Sequence, residues 1–123
     1  MKTARNDGLD GAAARFIAMN RFRVRKGEEA AFEARWLERD SHLAGVPGFV
    51  EFHLLKGPER EDHVLYASHT IWRSRADFLA WTQSDAFRKV HSVRTPEGIL
   101  GGHPRARFYD AVVTEPGADP SLR

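Results

Sequence analysis

The stretch FVEFHLLKGPEREDHVLYASHTIW, residues 49–72, decides the fold. Residues 49–55 carry enough apolar and β-branched side chains to form a strand, and residues 63–72 are richer still in β-branched and aromatic ones. Between them, residues 56–62 form a charged Gly-Pro turn, short enough that the two strands read as a hairpin. What flanks the hairpin settles its place. Before it, residues 15–25, RFIAMNRFRVR, alternate as a strand: one face carries Phe16, Ala18, Asn20, Phe22 and Val24, the other Ile17, Met19, Arg21 and Arg23. Lys26-Gly27 turns the chain into an amphipathic helix over residues 28–44, with Phe32, Trp36, Leu37 and Leu43 near one face, an acidic first turn, Gly45 as its stop and Pro47 beyond. After the hairpin, Ser74 is suited to cap a helix containing Phe78, Leu79 and Trp81, Ser84 or Asp85 to cap a further short helix over 85–91, and residues 105–113 read as a last strand. The order β-α-β-β-α-β predicts an α+β, ferredoxin-like split βαβ domain: a four-stranded antiparallel sheet with helices on one face. The bare face needs a cover, and a second copy of the chain is the simplest one.

The chain has 123 residues, enough for one domain. Residues 1–14 are small, polar and glycine-rich and read as a disordered N-terminal segment, 15–114 as the folded domain and 115–123 as a flexible tail. Residues 92–104, SVRTPEGILGGHP, read as a mobile loop. A net charge of +2, with no basic run, gives no electrostatic case for a nucleic-acid partner. Cysteine is absent, so disulfides, thiolate metal sites and cysteine nucleophiles are excluded. No apolar stretch approaches the ~18 residues that cross a bilayer. The opening MKTARNDGLDGAAAR has no apolar core of a secretory signal, so the expected location is cytoplasmic.

Asn20 interrupts an otherwise apolar strand row. A buried amide without partners costs roughly 1–3 kcal/mol. It is either satisfied by backbone at a bulge or subunit boundary, or aimed at a ligand. Trp81 and His91 flank the segment AWTQSDAFRKVH, residues 80–91. On one unbroken helix they would stand roughly 80° apart. The polar TQSD argues for a break, and two short helices at an angle can bring both side chains to one cleft. Phe87, Val90 and His91 share a face of the second helix by i, i+3 and i+4 spacing. His91 is then either a helix-terminal histidine bound to last-turn carbonyls or a ligand to a metal.

The remaining signals are weaker. His42 ends the predicted first helix, His53 and His69 lie in strands, His63 opens one, and His103 lies in the loop. No HExxH and no two-His-plus-carboxylate spacing is present, which disfavours a hydrolytic zinc site. No GxGxxG or P-loop is present, and Gly57, Gly101 and Gly102 fall in predicted turns. Asp40, Ser41 and His42 are consecutive within the predicted helix and cannot face one another as a catalytic set. Trp36 and Trp72 read as core or interface aromatics.

The segments AMNRFRVRKG (18–27), VPGFVEFHLL (46–55) and TIWRSRADFLAWTQSDAFRKVH (70–91) resemble the antibiotic-biosynthesis-monooxygenase (ABM) superfamily. More narrowly they resemble its IsdG-type bacterial haem-degrading monooxygenases, including the rhizobial HmuQ/HmuD-like branch. The resemblance spans residues 15–113. VPGF and the spaced Phe, Trp and Ser mark the superfamily broadly; Asn in the first strand, with Trp ten residues before His, is the narrower signal.

The resemblance implies a homodimer with a β-barrel at its interface. It also implies haem as both substrate and cofactor, opened with O2 to a bilin-type tetrapyrrole with release of iron. Carried over by residue, His91 corresponds to the ligand that holds haem iron through a neutral imidazole nitrogen. Asn20 corresponds to the distal hydrogen-bond donor, and Trp81 to the bulky side chain that presses on the porphyrin. The cofactor-binding set is then His91, Asn20, Trp81, Phe22, Phe87 and Arg94, with Phe16, Ile71 and Phe78 as further wall candidates. Arg21, Arg94 and the 92–104 loop are the candidates for holding the propionates. No flavin or nicotinamide motif is visible, so an external electron donor, a reductase or ascorbate, is expected. An iron-acquisition role follows from the family alone. The chain departs from the family pattern in its extended N-terminal segment and its Pro-Gly-rich loop after His91. Two other readings stay open: a cofactor-free ABM monooxygenase acting on a polycyclic phenol or quinol, which would not need His91, and a non-catalytic haem carrier.

Overall fold

The computed structural model describes residues 15–91, 95, 96 and 98–117. Segment 1–14, expected to be disordered, lies outside the described residues, as do Arg94 and residues 118–123 of the expected tail. The elements run β1 (Arg15–Arg25), α1 (Glu29–Glu38), β2 (Phe49–Glu59), β3 (His63–Trp72), α2 (Arg75–Thr82), α3 (Asp85–His91) and β4 (Arg105–Ala111). The four strands form one sheet in the order β2-β3-β1-β4, every pair antiparallel. This is the ferredoxin-like split βαβ arrangement that the hairpin implied.

Strand alternation sorts the side chains onto two faces. The β1–β3 register sets Phe16 opposite Trp72, Phe22 opposite Tyr66 and Val24 opposite Val64 on the helix-bearing face. It sets Ile17 opposite Ile71 and Met19 opposite His69 on the bare face. The helix-bearing face buries two apolar clusters. One joins Phe22, Val24, Val64 and Tyr66 to Phe32 of α1 and to Ile99. The other joins Phe16, Ala18 and Trp72 to Leu43 and to Trp81 of α2, with Phe78, Phe87 and Val90 packed around it. Trp72, fully buried, is its centre, edge-on to Phe49 and Phe78 and stacked on Trp81. Burying a large apolar side chain of this kind contributes roughly 1.5–3 kcal/mol.

The break in the second helical region falls where the sequence put it. The Ser74 hydroxyl accepts from the Asp77 amide at 3.1 Å and caps α2. Between the two caps, α2 closes with the Ser84 amide donating to the Trp81 carbonyl at 3.0 Å. Ser84, rather than Asp85, caps α3, its Oγ accepting from the Phe87 amide at 3.1 Å. Gly48 of the VPGF segment has φ +83°, and a Cβ there would fall inside the Asp77 side chain, so only glycine lets this loop pass under α2.

Several boundaries differ from the sequence reading. The first helix stops at Glu38, not at residue 44. The Asp40 carboxylate accepts from the His42 amide at 3.1 Å, the Ser41 hydroxyl accepts from the Leu43 amide at 3.3 Å, and His42 adopts φ +58°. Short polar side chains that bond their own backbone offer it an alternative to the helix. Asp40, Ser41 and His42 are therefore turn residues, yet Leu43 still reaches the second cluster. Strand β2 runs on to Glu59 and contains Gly57, while β4 ends at Ala111. The end of the expected mobile loop is pinned: the Arg25 amide donates to the Ile99 carbonyl at 2.8 Å, the Gly101 amide to the Arg23 carbonyl at 2.7 Å, and Ile99 is 6% exposed. An isoleucine in the core holds this segment against β1 despite its glycines.

Candidate functional site

The two apolar clusters meet at a seam across the middle of the helix-bearing face. Asn20 lies on it, between Ala18 of one cluster and Phe22 of the other. Its cross-strand partners are Ser68 on β3 and Ala106 on β4, so small and polar side chains replace large apolar ones along this row. Asn20 is half-buried, and its side-chain amide makes no hydrogen bond among the described residues. A strand residue on a central strand has almost no freedom to withdraw, so the amide is held in place toward the seam.

α3 borders the seam. Phe87 and Val90 pack against the cluster that contains Ala18, and His91 ends the helix, exposed. The His91 ring stacks on Phe87 with centroids 3.9 Å apart. Its Nδ1 lies 3.0 Å from the Phe87 carbonyl oxygen. A carbonyl only accepts, so Nδ1 carries the proton, and in the neutral ring Nε2 then keeps its lone pair. That is the tautomer a metal ligand needs, fixed by the partner ligating histidines ordinarily use. The reading of His91 as a helix-terminal histidine bound to a last-turn carbonyl describes its Nδ1, and Nε2 lies outside that bond.

Trp81 is only 7% exposed. It stacks on Trp72 and meets Phe87 at 90° with centroids 5.6 Å apart. Trp72, Trp81, Phe87 and His91 form one continuous line of rings, so Trp81 reaches His91 through Phe87 rather than directly. A cavity of about 210 Å³ lies beside Trp81, walled by Val46, Pro47, Ala80, Ser84 and Ala86.

The structure rearranges the other candidates. Phe16 and Phe78 face each other at 5.3 Å on the helix-bearing face and both meet the exposed ring of Phe108. Phe22 is buried in the first cluster. Ile71 and Arg21 stand on the bare face, because each is one strand position away from the row that faces the helices. Neither shares a face with Asn20, which removes Ile71 as a wall and Arg21 as a propionate partner. Among the described residues no group of three or more His, Cys, Asp or Glu is placed to hold a metal ion. No described helix is long and apolar enough to cross a membrane.

One residue was missed. Arg39 follows α1, and its guanidinium lies 4.6 Å over the ring of Trp36 and 4.7 Å over that of Phe52. Those two rings are stacked and bridge the two clusters. Its Nε is buried without a partner, and burial lowers its pKa from the ordinary guanidinium value. A cation left unpaired beside the seam is suited to an anionic group arriving with a ligand. The signal in the sequence was only an arginine three positions after a tryptophan.

Comparison with known proteins bears on this geometry. The sequence pattern of the family described as Antibiotic biosynthesis monooxygenase matches residues 15–93. A relative from Shouchella clausii (strain KSM-K16), named heme-degrading monooxygenase, is 33% identical over 99 residues, covering 79% of this chain and 90% of its own. Among solved structures, the heme-degrader MhuD of Mycobacterium tuberculosis, with two hemes bound in its active site, superposes with a TM-score of 0.64 at 24% identity, covering 82% of this chain and 99% of its own. SnoaB, a cofactor-independent oxygenase from Streptomyces nogalater, superposes with a TM-score of 0.58 at 22% identity, covering 88% and 99%. At these identities the two structures speak to the fold.

Proposed function

The chain belongs to the antibiotic biosynthesis monooxygenase family, and from that premise we propose that it is a haem-degrading oxygenase. It takes haem as its substrate, opens the porphyrin with O2 and external electrons to a bilin-type tetrapyrrole, and releases iron. The relative named heme-degrading monooxygenase supports the substrate class. The observation that carries the reading to particular atoms is the contact of His91 Nδ1 with the Phe87 carbonyl, which leaves Nε2 outside that bond.

The residues present suit haem in kind. His91 Nε2 would ligate the iron. Phe16, Phe78, Phe87 and Val90 offer apolar walls beside the seam, and the unpaired Arg39 would take a propionate carboxylate. Bound haem supplies the oxygen chemistry through its iron. The chain supplies placement. The Asn20 amide, held on a central strand and otherwise unpartnered, donates an N–H into the seam at a fixed position, where a preorganised donor stabilises developing negative charge. Trp81, backed by Trp72 and braced by Phe87, forms an unyielding edge that a bound macrocycle must accommodate. The apolar clusters on both sides limit water. A reductase or ascorbate provides the electrons, and a second copy of the chain covers the bare sheet face. The enzyme acts in the cytoplasm, in iron acquisition.

The test is a hemin titration of the purified protein followed by ascorbate or a reductase system in air. A Soret shift on binding, then Soret loss with a bilin-type band and chelatable ferrous iron, is the expected course. A stable Soret band under reductant would identify a carrier, and no Soret shift at all a cofactor-free oxygenase. His91→Ala should abolish ring opening; turnover retained in that variant would remove His91 as the ligand.

A further inference from the structure

The seam at Asn20 opens toward the edge strand. Along its row across the sheet, Asn20 has Ser68 of β3 on one flank and Ala106 of β4 on the other. Ser68 is 8% exposed, so the seam is covered on that side. Along β1, Ala18 and Phe22 are buried before and after it. Ala106 is exposed, as is every residue from Arg105 to Asp110. Cover on the helix-bearing face therefore ends between β1 and β4, with the half-buried Asn20 at its border. A second copy seated on the opposite, bare face does not close this opening.

The opening has a definite outline. Residues directly opposite one another on antiparallel strands hold their Cβ atoms about 4.5–5.5 Å apart. The side chain at position 106 is thus the outer neighbour of the Asn20 amide, and alanine leaves that space empty. Phe108, next on the same face of β4, is 54% exposed. Its ring stacks on Phe16 with centroids 6.2 Å apart and planes 14° apart, and meets Phe78 at 5.6 Å. It continues the apolar wall of the second cluster out to the sheet edge. An exposed aromatic beside an empty small-residue position suits a flat ring system that lies over Ala106 and meets Phe108.

We propose that the ligand of the seam enters over β4, and that Ala106 sets the room beside Asn20, making it a specificity-determining position for a flat polycyclic or macrocyclic ring. The inference rests on the haem reading for the identity of the ring, and on strand register and burial for its path. A large side chain at 106 would lie across the Asn20 amide and shut the seam from outside. The fold tolerates one there, because the position is exposed on an edge strand, where aromatic and β-branched residues are favoured over alanine.

Titration of wild type, Ala106→Val and Ala106→Trp with hemin, followed by the Soret shift, tests it. A built-in clash grows with side-chain size, so affinity should fall about threefold in Ala106→Val and about tenfold or more in Ala106→Trp. Both variants should melt no lower than wild type. Anthraquinone-2-sulfonate, a flat ring system without iron, is the second probe, followed by calorimetry. If wild type and both variants bind hemin equally well, the entrance is overturned and the haem reading stands. If wild type binds the quinone but not hemin, and Ala106→Trp loses the quinone, the haem reading falls and the entrance stands. If wild type binds neither probe, both fall. Both fall also if hemin is not bound and the variants keep the quinone. A changed oligomeric state in either variant, measured by light scattering, would assign position 106 to a subunit contact and overturn the proposal. Should Ala106→Trp not fold, Ala106→Val decides: it loses hemin affinity, or the entrance lies elsewhere.

Discussion

The imidazole of His91 lies face to face with the ring of Phe87, planes 27° apart and centroids separated by 3.9 Å, while its Nδ1 donates to the carbonyl of the same residue. The backbone fixes the tautomer and the ring fixes the plane. Phe87→Ala removes only the second constraint, so His91, the iron ligand we propose, would survive but be less well oriented. Haem affinity should fall about tenfold, as for loss of an outer-shell partner, with the Soret position unchanged. Phe87→Leu, which restores apolar contact with Trp81, should recover fold stability but not the full affinity. A Soret band in Phe87→Ala at the position of free hemin would show that coordination itself depends on the stacked ring.

Asn20 separates stability from chemistry. Its amide is half-buried and unpartnered among the described residues, so an apolar replacement of similar volume removes a desolvated group rather than a bond. Asn20→Leu should melt at or above the wild-type temperature. Removing a preorganised donor typically lowers turnover by roughly 10²–10³, so Asn20→Ala should bind hemin and open it about a hundredfold more slowly. Wild-type turnover in Asn20→Ala would assign the amide no part in the reaction, and a marked loss of stability in Asn20→Leu would mean that it has a structural partner.

These expectations were legible in the sequence to different depths. Asn20 stood out because strand alternation is strict: five positions of one row, four apolar, leave the amide visible without a structure. The helix break before α3 was legible because Ser84 is a capping residue in a polar run. The early end of α1 was not, since Asp40 and Ser41 act on their own backbone and a helical pattern of apolar residues runs through them to Leu43. Arg39 was missed because its meaning lies in Phe52, a distant residue brought over it by the hairpin. Arg21 was read onto the face opposite Asn20, where the register puts it, yet was offered as a propionate partner because it is a charge near Asn20 in sequence; neighbouring strand residues point to opposite sides.

On the bare face, His69 should make the fold acid-sensitive. Its Nδ1 is buried without a partner, and its ring lies parallel to that of His53, centroids 5.9 Å apart. Burial first, and then the charge of His53, lower its pKa from the ordinary 6.5, while Glu51 pulls the other way. A base with a depressed folded pKa contributes stability that is present above the unfolded value and is lost as pH falls through the folded one. Wild type should therefore lose stability progressively below about pH 6.5. His69→Gln should show a shallower fall over the same range, measured by urea unfolding at pH 7.5 and lower. Parallel curves for the two proteins would mean that His69 protonates as readily in the fold as in the unfolded chain.

Tyr66 should act at the opposite end of the pH scale. It is fully buried beside Phe32, and its hydroxyl donates to the carboxylate of Glu33 on α1, which Lys56 also approaches at 3.9 Å. Burial is the largest cause, and the Glu33 bond and charge add to it: all three push the phenol above its ordinary value. An acid with a raised folded pKa keeps its full contribution below the unfolded value, near 10, and loses it as pH rises beyond that. Tyr66→Phe removes one hydrogen bond and should cost about 1 kcal/mol at pH 7. It also removes the group whose ionisation drives alkaline unfolding. The stability gap between wild type and Tyr66→Phe, measured by urea unfolding at pH 7, 9 and 11, should hold between the first two and narrow or invert at the third. A gap that stays constant to pH 11 would mean the phenol ionises as easily inside the fold as outside it, and the contact between α1 and β3 would then owe nothing to the protonated Tyr66–Glu33 pair.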